Sequence, residues 1–599
     1  MNVSEYIIKF FSDKGVDTTF MITGGQAMWL NDAVGKNKNY KIICHHHEQA
    51  AAMSGDAYGR IKNKPAIVMV TAGPGSVNAL NGVVGGWTDS SPMIIISGQS
   101  ALSFVQYQEK TGIRQHGIQG INIKPLVQGI TKYFITIDNI HKLKYYLEKA
   151  YHICTSGRPG PVWIDVPLDI QRMSVDNISQ EDYFPDEANV ISHVTLKNAV
   201  DNLLERLQQA KRPVFLVGQG ISLANARSEF RQLAMALRIP VITSRLGIDL
   251  FESDNQLYVG RPGNYGERSA NIALQNSDLI ISMGCRLSSA TVGYAPEKFG
   301  RNAYKFVVDI DRKELDKPGV KIDYKVECDC KIFIQELSKK IGEISLTKYD
   351  DWIKLCNQWK NNYPVMQSRY EKECPINSYY FVHKLSEMAD SNSMILVDTG
   401  SCFHVACQTW KIKQGQKFLT TGGLSSMGYW CAAIGACMAN ERKSTIVITG
   451  DGSLQMNIQE FATIRANNLP VKVFILDNNG YLLIRNTQRN FMEDRFIGES
   501  PATGVWCPDS IKIAQAYGIK GVEIRTPEEM NEKIAEVLEC NEPVICKVVT
   551  QEWQVLQPRI SSEKMPDGTL IAHEYEDMFP FLSREEMKRN MIADREKML

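Results

Sequence analysis

The apolar run Ile446-Val447-Ile448 ends in Thr449-Gly450-Asp451-Gly452-Ser453, and the next apolar run, Val471–Leu476, ends in Asp477-Asn478-Asn479-Gly480-Tyr481. Between them, Leu454 to about Asn467 suits a helix. A right-handed strand–helix–strand unit brings both run ends to one sheet edge. That corner offers a carboxylate oxygen (Asp451), an amide oxygen (Asn478) and a main-chain carbonyl (Gly480). Magnesium takes few protein oxygens and completes its octahedron with phosphate and water. Gly452 permits close backbone approach, and the N–H groups of Gly452 and Ser453 open a helix towards an anion. The chemistry expected is a magnesium-bridged diphosphate, with Tyr481 beside it. Gly-Asp-Gly alone is more often a tight turn; the second strand end argues against that.

A second carboxylate stands in His45-His46-His47-Glu48, ahead of the alanine-rich segment Gln49–Arg60. By itself Glu48 could be a helix-start acid. A zinc cluster is disfavoured, since successive strand residues face opposite ways and no further ligand group stands out. Glycine-rich turns occur at Gly24-Gly25 and at Thr71-Ala72-Gly73-Pro74-Gly75-Ser76-Val77-Asn78. In the carboxyl half, Asp398-Thr399-Gly400-Ser401 follows a strand, and Gly422-Gly423-Leu424-Ser425-Ser426-Met427-Gly428 precedes an apolar segment.

Taken together and in this order, these segments resemble thiamine-diphosphate enzymes of the acetohydroxyacid (acetolactate) synthase family, over about residues 1–550. The resemblance implies that Glu48 hydrogen-bonds N1′ of the aminopyrimidine and favours the tautomer that deprotonates C2 of the thiazolium. Gln119 matches a glutamine near the reacting centre. Met427 matches the wedge that bends the cofactor, although methionine also fills core gaps. Gly25, Gly73, Pro74 and Asn78 are expected to wall the cofactor pocket, and Gly400, Ser401 and the Ser425 loop to add contacts. Glutamate and diphosphate motif belong to facing subunits in that family, which implies a homodimer or homotetramer. The expected reaction decarboxylates a 2-oxo acid, pyruvate above all, and transfers the fragment to a carbonyl acceptor.

The resemblance weakens at three places. Gly260–Gly266, Gly284-Cys285-Arg286-Leu287 and Asp309-Ile310-Asp311 look like an FAD domain, but Ser288–Gly293 replaces an acidic segment. FAD and a domain that only packs both stay open. Thr487 stands where the synthases carry an indole, enlarging the acceptor side. Asp567-Gly568 and Tyr575–Pro580 are similar to segments of carboligases that build branched sugars of the yersiniose type. With Arg485 and Arg489 flanking Thr487, a keto-sugar nucleotide is an expected acceptor. Acetolactate synthesis and simple decarboxylation are the alternatives, the latter because paired histidines occur in such decarboxylases. A non-catalytic binding protein is the remote one.

The elements that must position these groups read as α/β throughout: three doubly wound domains with mainly parallel sheets. The divisions expected are 1–172 (pyrimidine-binding), 190–341 (central), 375–550 (diphosphate-binding) and a tail, 551–599, draped over the rest. The chain has 599 residues, 44% hydrophobic and 22% charged, with 67 basic against 67 acidic side chains. That balance gives no footing for nucleic acid or an anionic membrane. No apolar stretch approaches a membrane span. The amino terminus carries no secretory pattern. Fourteen cysteines without a CxxC pair suit reduced thiols in the cytoplasm.

Overall fold

A computed structural model describes residues 1–185, 191–343, 348–565 and 567–594. Residues 186–190 of the expected linker, with the expected domain start at 190, and the last five residues of the tail lie outside these. The described chain builds three six-stranded sheets, all parallel in their pairings. The first contains β1 (Thr18–Met21), β2 (Lys41–Cys44), β3 (Ile67–Val70), β4 (Met93–Gln99), β5 (Tyr133–Thr136) and β6 (Pro161–Pro167). The second contains β7 (Pro213–Val217), β8 (Val241–Thr243), β9 (Tyr258–Gly260), β10 (Leu279–Met283), β11 (Tyr304–Asp309) and β12 (Tyr324–Glu327). The third contains β13 (Met394–Val397), β14 (Lys417–Thr420), β15 (Thr445–Gly450), β16 (Val471–Asp477), β17 (Lys520–Ile524) and β18 (Val544–Val549). The three α/β domains expected from the sequence are therefore present.

First and third sheets share one topology, β2-β1-β3-β4-β6-β5 and β14-β13-β15-β16-β18-β17. In each, the chain reverses its direction of travel between the first and third strands. Ligands of open α/β sheets bind outside the strand ends at such a reversal. The middle sheet runs β12-β11-β10-β7-β8-β9, the order of dinucleotide-binding folds, with its reversal between β7 and β10. The sequence runs did not mark β5, β9, β12, β14 or β17, and every one is an edge strand. Strands β5 and β12 are only partly covered.

One hydrophobic core joins the first and third domains. Helix Glu48–Lys62 is buried from Ala50 to Arg60 and packs on Pro74–Thr88 on one side and Tyr429–Ala439 on the other. The approach is very close. A Cβ on Gly435 would lie 1.9 Å from the Ser54 carbonyl oxygen. The tail straps the middle domain from outside. Arg268 donates to the carbonyls of Met578 and Pro580, Asn271 to that of Tyr575, and Tyr575 itself to Thr291 O.

Gly435→Ala is therefore expected to force these helices apart and to destabilise the fold by at least about 1–3 kcal/mol. A thermal melt followed by circular dichroism checks this; an unchanged Tm contradicts the packing described.

Candidate active site

Two groups of side chains form, one at each reversal of the outer sheets. At the first sheet, the turns after β1 and β3 meet: a Cβ on Gly24, next to Gly25, would lie 2.4 Å from Thr71. Glu48 begins the helix that follows β2, and its Oε2 accepts from Asn78 Nδ2 at 3.0 Å. Asn78 sits on Pro74–Thr88, whose start, Gly73, lies under the Gln119 backbone carbonyl. Gln119 itself is exposed, with φ +59°. Its loop is held by Gln99 Nε2, which donates to Ile121 O, and by Gln108. Glu48, Gly73, Pro74, Asn78 and Gln119 thus come together, with Gly25 at the same edge.

At the third sheet, Asp398 is the organiser. Its buried carboxylate accepts from Ser453 Oγ (2.6 Å), Thr449 Oγ1 (2.8 Å) and the N–H groups of Thr399 and Tyr429. Ser453 Oγ also accepts from Gly428 N at 2.8 Å, which ties the Met427 loop to the Asp451 turn. The Ser453 hydroxyl is thus engaged within the protein. Gly400 and Ser401 open helix Ser401–Thr409 beside it, and Met427 is half-buried. Asp398 was quoted in the sequence only as a neighbour of Gly400; an acid ending a strand at a reversal point was the available signal.

Asp451 Oδ1 accepts from Gly452 N (2.9 Å) and Oδ2 from Gly480 N (2.8 Å). Burial first, and then neighbouring Asp477, push its carboxyl up to about 7. Asn478 Oδ1 is buried without a partner. An orphaned amide oxygen beside crowded carboxylates fits a hard cation, and this donor set passes the test for magnesium. Gly480 has φ +131°, and a Cβ there would lie 2.0 Å from Glu499 O, so only glycine closes this loop. The Tyr481 ring lies against Gly452.

Several neighbouring side chains are engaged with other parts of the chain. His45 Nδ1 pairs with Glu460 at 2.9 Å, His46 Nδ1 with Thr463, and His47 Nδ1 accepts from Gln49 N as the helix cap. The histidines diverge, and among the described residues no group of three metal-ligating side chains forms. Arg485 does not face an acceptor: it is 2% exposed and paired with Glu499 at 2.6 Å. Arg489 stacks over Trp553 at 3.7 Å, while the hydroxyl of exposed Thr487 donates to Leu483 O. Gly260–Gly266 meets the third domain through Arg261, which donates to Trp410 O.

Tyr429, two residues past Met427, donates to Asp56 at 2.6 Å. Asp56 lies eight residues beyond Glu48 on a straight helix, or roughly 12 Å along its axis. Behind this contact, Arg60 reaches Thr420 O (2.8 Å) and Asp89 (3.4 Å), and Asp89 accepts from Gly422 N and Gly423 N. Sequence reading passed over this clamp on the Met427 loop, because its members are distant in the chain.

Comparison with known proteins agrees with both groups. Residues 1–126 match the N-terminal TPP-binding domain of thiamine pyrophosphate enzymes, 200–337 their central domain and 398–548 their C-terminal TPP-binding domain. The probable acetolactate synthase large subunit of Methanococcus aeolicus is 31% identical, over 91% of each chain. The chain belongs to the acetohydroxyacid synthase-like thiamine-diphosphate enzymes. Other members similar to it are the acetolactate synthase large subunit of Cyanidium caldarium, 30% identical over 92% of this chain and 94% of its own, and the isozyme 2 large subunit of Escherichia coli K12, 28% identical over 94% and 99%. Like them it is a thiamine-diphosphate-dependent enzyme.

The middle domain of this family member holds a cleft of about 450 Å³ outside β7 and β10. Gly284-Cys285-Arg286-Leu287, Asp309 and Ile310 line it, with Gln219, Gly220 and Arg245. The Met427 loop contributes Gly422, Gly423 and Ser425. Among the described residues no helix is long and apolar enough to cross a membrane.

Asp398→Ala is expected to strand two hydroxyls and two N–H groups, at about 1–3 kcal/mol for each group left unsatisfied. Tm should fall and thiamine-diphosphate binding should weaken together. Retained cofactor affinity, measured by equilibrium dialysis, would remove Asp398 as organiser.

Proposed function

We propose that this enzyme decarboxylates a 2-oxo acid, pyruvate in the first instance, and adds the two-carbon fragment to a second carbonyl compound. The observation that carries the reading is the pair of half-sites: Glu48 with Asn78 at one reversal point, and Asp398, Asp451 and Asn478 at the other. Bound thiamine diphosphate supplies the nucleophilic carbon. Glu48 holds the aminopyrimidine N1′ and governs its proton, with Asn78 orienting the carboxyl. Gln119 stands over the reacting side. Met427 sets the angle between the rings. Asp451, Asn478 and the Gly480 carbonyl would hold magnesium, and the missing side chain of Gly452 lets the Tyr481 ring close on the same turn.

Tyr429, next to the Met427 loop, meets helix Glu48–Lys62 eight residues beyond Glu48, and the family resemblance puts glutamate and diphosphate motif on facing subunits; both support a homodimer or a homotetramer built from dimers. The middle-domain cleft, with its dinucleotide-type strand order, supports FAD. Fourteen unpaired cysteines support a cytoplasmic location.

For the acceptor, Thr487 in place of an indole supports a molecule larger than pyruvate, such as a keto-sugar nucleotide. With Arg485 withdrawn, only Arg489 is left of the two arginines expected to recognise it. The names of the relatives favour a second reading, acetolactate synthesis from two pyruvates. The divergent histidines take support away from simple decarboxylation.

Glu48→Gln is expected to retain thiamine diphosphate and lose activity by about 100-fold or more, as loss of a general acid–base group does; near-normal carbon dioxide release from pyruvate contradicts its role. Asp451→Ala should weaken cofactor binding in magnesium titrations, and a wild-type curve contradicts the metal site. Product chromatography separates the two acceptors. Slow acetolactate formation from pyruvate, with carbon dioxide release rising on addition of a keto-sugar nucleotide, supports the larger one. Efficient acetolactate synthesis with no such gain selects the second reading. A flavin absorbance spectrum of the purified protein decides the occupant of the middle domain.

A further inference from the structure

Arg485 is the most buried arginine of the third domain, and none of its contacts goes to an open cavity. Its guanidinium pairs with Glu499 through Nε, at 2.6 Å. Nη1 donates to Asn478 O (3.2 Å) and to Glu552 O, and Nη2 to Asn479 O (3.0 Å) and Glu499 O (3.4 Å). Trp553 lies over it, 5.0 Å from the guanidinium carbon to the ring centre. Three strands of chain therefore converge on one planar cation: the turn after β16, the Glu499 loop and the exit from β18. Glu499 O completes the arrangement by accepting from Tyr481 N at 2.8 Å and lying against Gly480.

The consequence falls on Asn478. With its main-chain carbonyl turned to Arg485, and that of Asn479 as well, the turn is held from behind. The side-chain oxygen of Asn478 is left buried and unpartnered, two residues before Gly480, whose N–H is held by Asp451. We propose that Arg485 is the positioning residue of the metal-binding turn, fixing Asn478 and Gly480 in the geometry that magnesium and a diphosphate require. It acts through backbone carbonyls and touches neither metal nor substrate. A lysine ammonium cannot reproduce the fork, because its donors radiate from one point and do not lie in a plane. Removing partners that orient metal ligands from behind costs about 10- to 100-fold in metal affinity. This inference rests on the Asp451–Asn478 metal reading proposed above.

The test measures thiamine-diphosphate binding to the full-length protein by equilibrium dialysis across a magnesium titration, beside kcat at saturating magnesium. Three proteins are compared with wild type: Arg485→Lys, the double variant Arg485→Met with Glu499→Gln, and Asp451→Ala. The double variant guards against misfolding, since it leaves no buried carboxylate without its cation. Expected is a rise of about 10- to 100-fold in the magnesium concentration for half-maximal binding in both Arg485 variants. Their kcat at saturating magnesium should return close to wild type. A merely structural anchor would lower Tm and leave the magnesium dependence where it was. An unchanged magnesium dependence in either folded Arg485 variant overturns the proposal. So does a kcat deficit that magnesium does not restore, because that outcome puts Arg485 at the substrate. If Asp451→Ala also behaves as wild type, it is the metal site itself that fails.

Discussion

The contact between the Gly435 backbone and the Ser54 carbonyl sets the distance at which the first and third domains meet, and the catalytic architecture follows from that distance. A helix of alanine, serine and glycine can approach another backbone this closely, whereas a leucine face could not. Once the helices touch, Asp56, Arg60, Asp89 and Tyr429 are sealed between the domains. Buried charges are costly unless paired and hydrogen-bonded. Here each side chain finds a partner, but Asp56 Oδ1 and Arg60 Nε are left without one, and burial pushes Asp56 up to about 6. The network also reaches the Met427 loop. Asp89 takes both N–H groups at the start of the Met427 loop, so domain packing and wedge geometry are one constraint.

The outer domains solve the same problem twice. Each folds a six-stranded sheet whose chain reverses between its first and third strands, and each leaves a polar crevice there. In the first domain the crevice holds a carboxylate with an amide partner. In the third it holds crowded carboxylates, with Asp451 pushed up to about 7 by burial and Asp477. Asp477 beside it is paired with Lys547 at 3.3 Å. The two crevices coincide with the two TPP-binding domains that comparison assigns.

The middle domain stands apart in topology but not in contact. Its cleft is shared with Gly422, Gly423 and Ser425 of the Met427 loop, and with Asp89 from the clamp. The tail holds the far side of the same domain through backbone carbonyls taken by Arg268 and Asn271. A rigid middle domain therefore supports the loop that the first domain grips from the other side.

Much of the chemistry was readable from strand ends. Gly-Asp-Gly and Asn-Asn-Gly lie next to apolar runs, and a sheet must bring such ends to one edge, so Asp451 and Asn478 could be paired without coordinates. Glu48 and Met427 were found by their resemblance to a family. The edge strands other than β2 were not read, although β5 is a run of Tyr, Phe, Ile and Thr. Nor could the fate of the charged side chains be read. Arg485 looked like a substrate contact because it flanks Thr487 in the chain, but a helix turns residues two apart to different faces, and its face is inward. The partners of the three histidines, Glu460, Thr463 and the Gln49 N–H, were likewise not readable. Local sequence determines which groups are available and on which element they ride. Which face of an element is covered, and by what, is decided only when the domains pack, since that contact joins residues hundreds of positions apart.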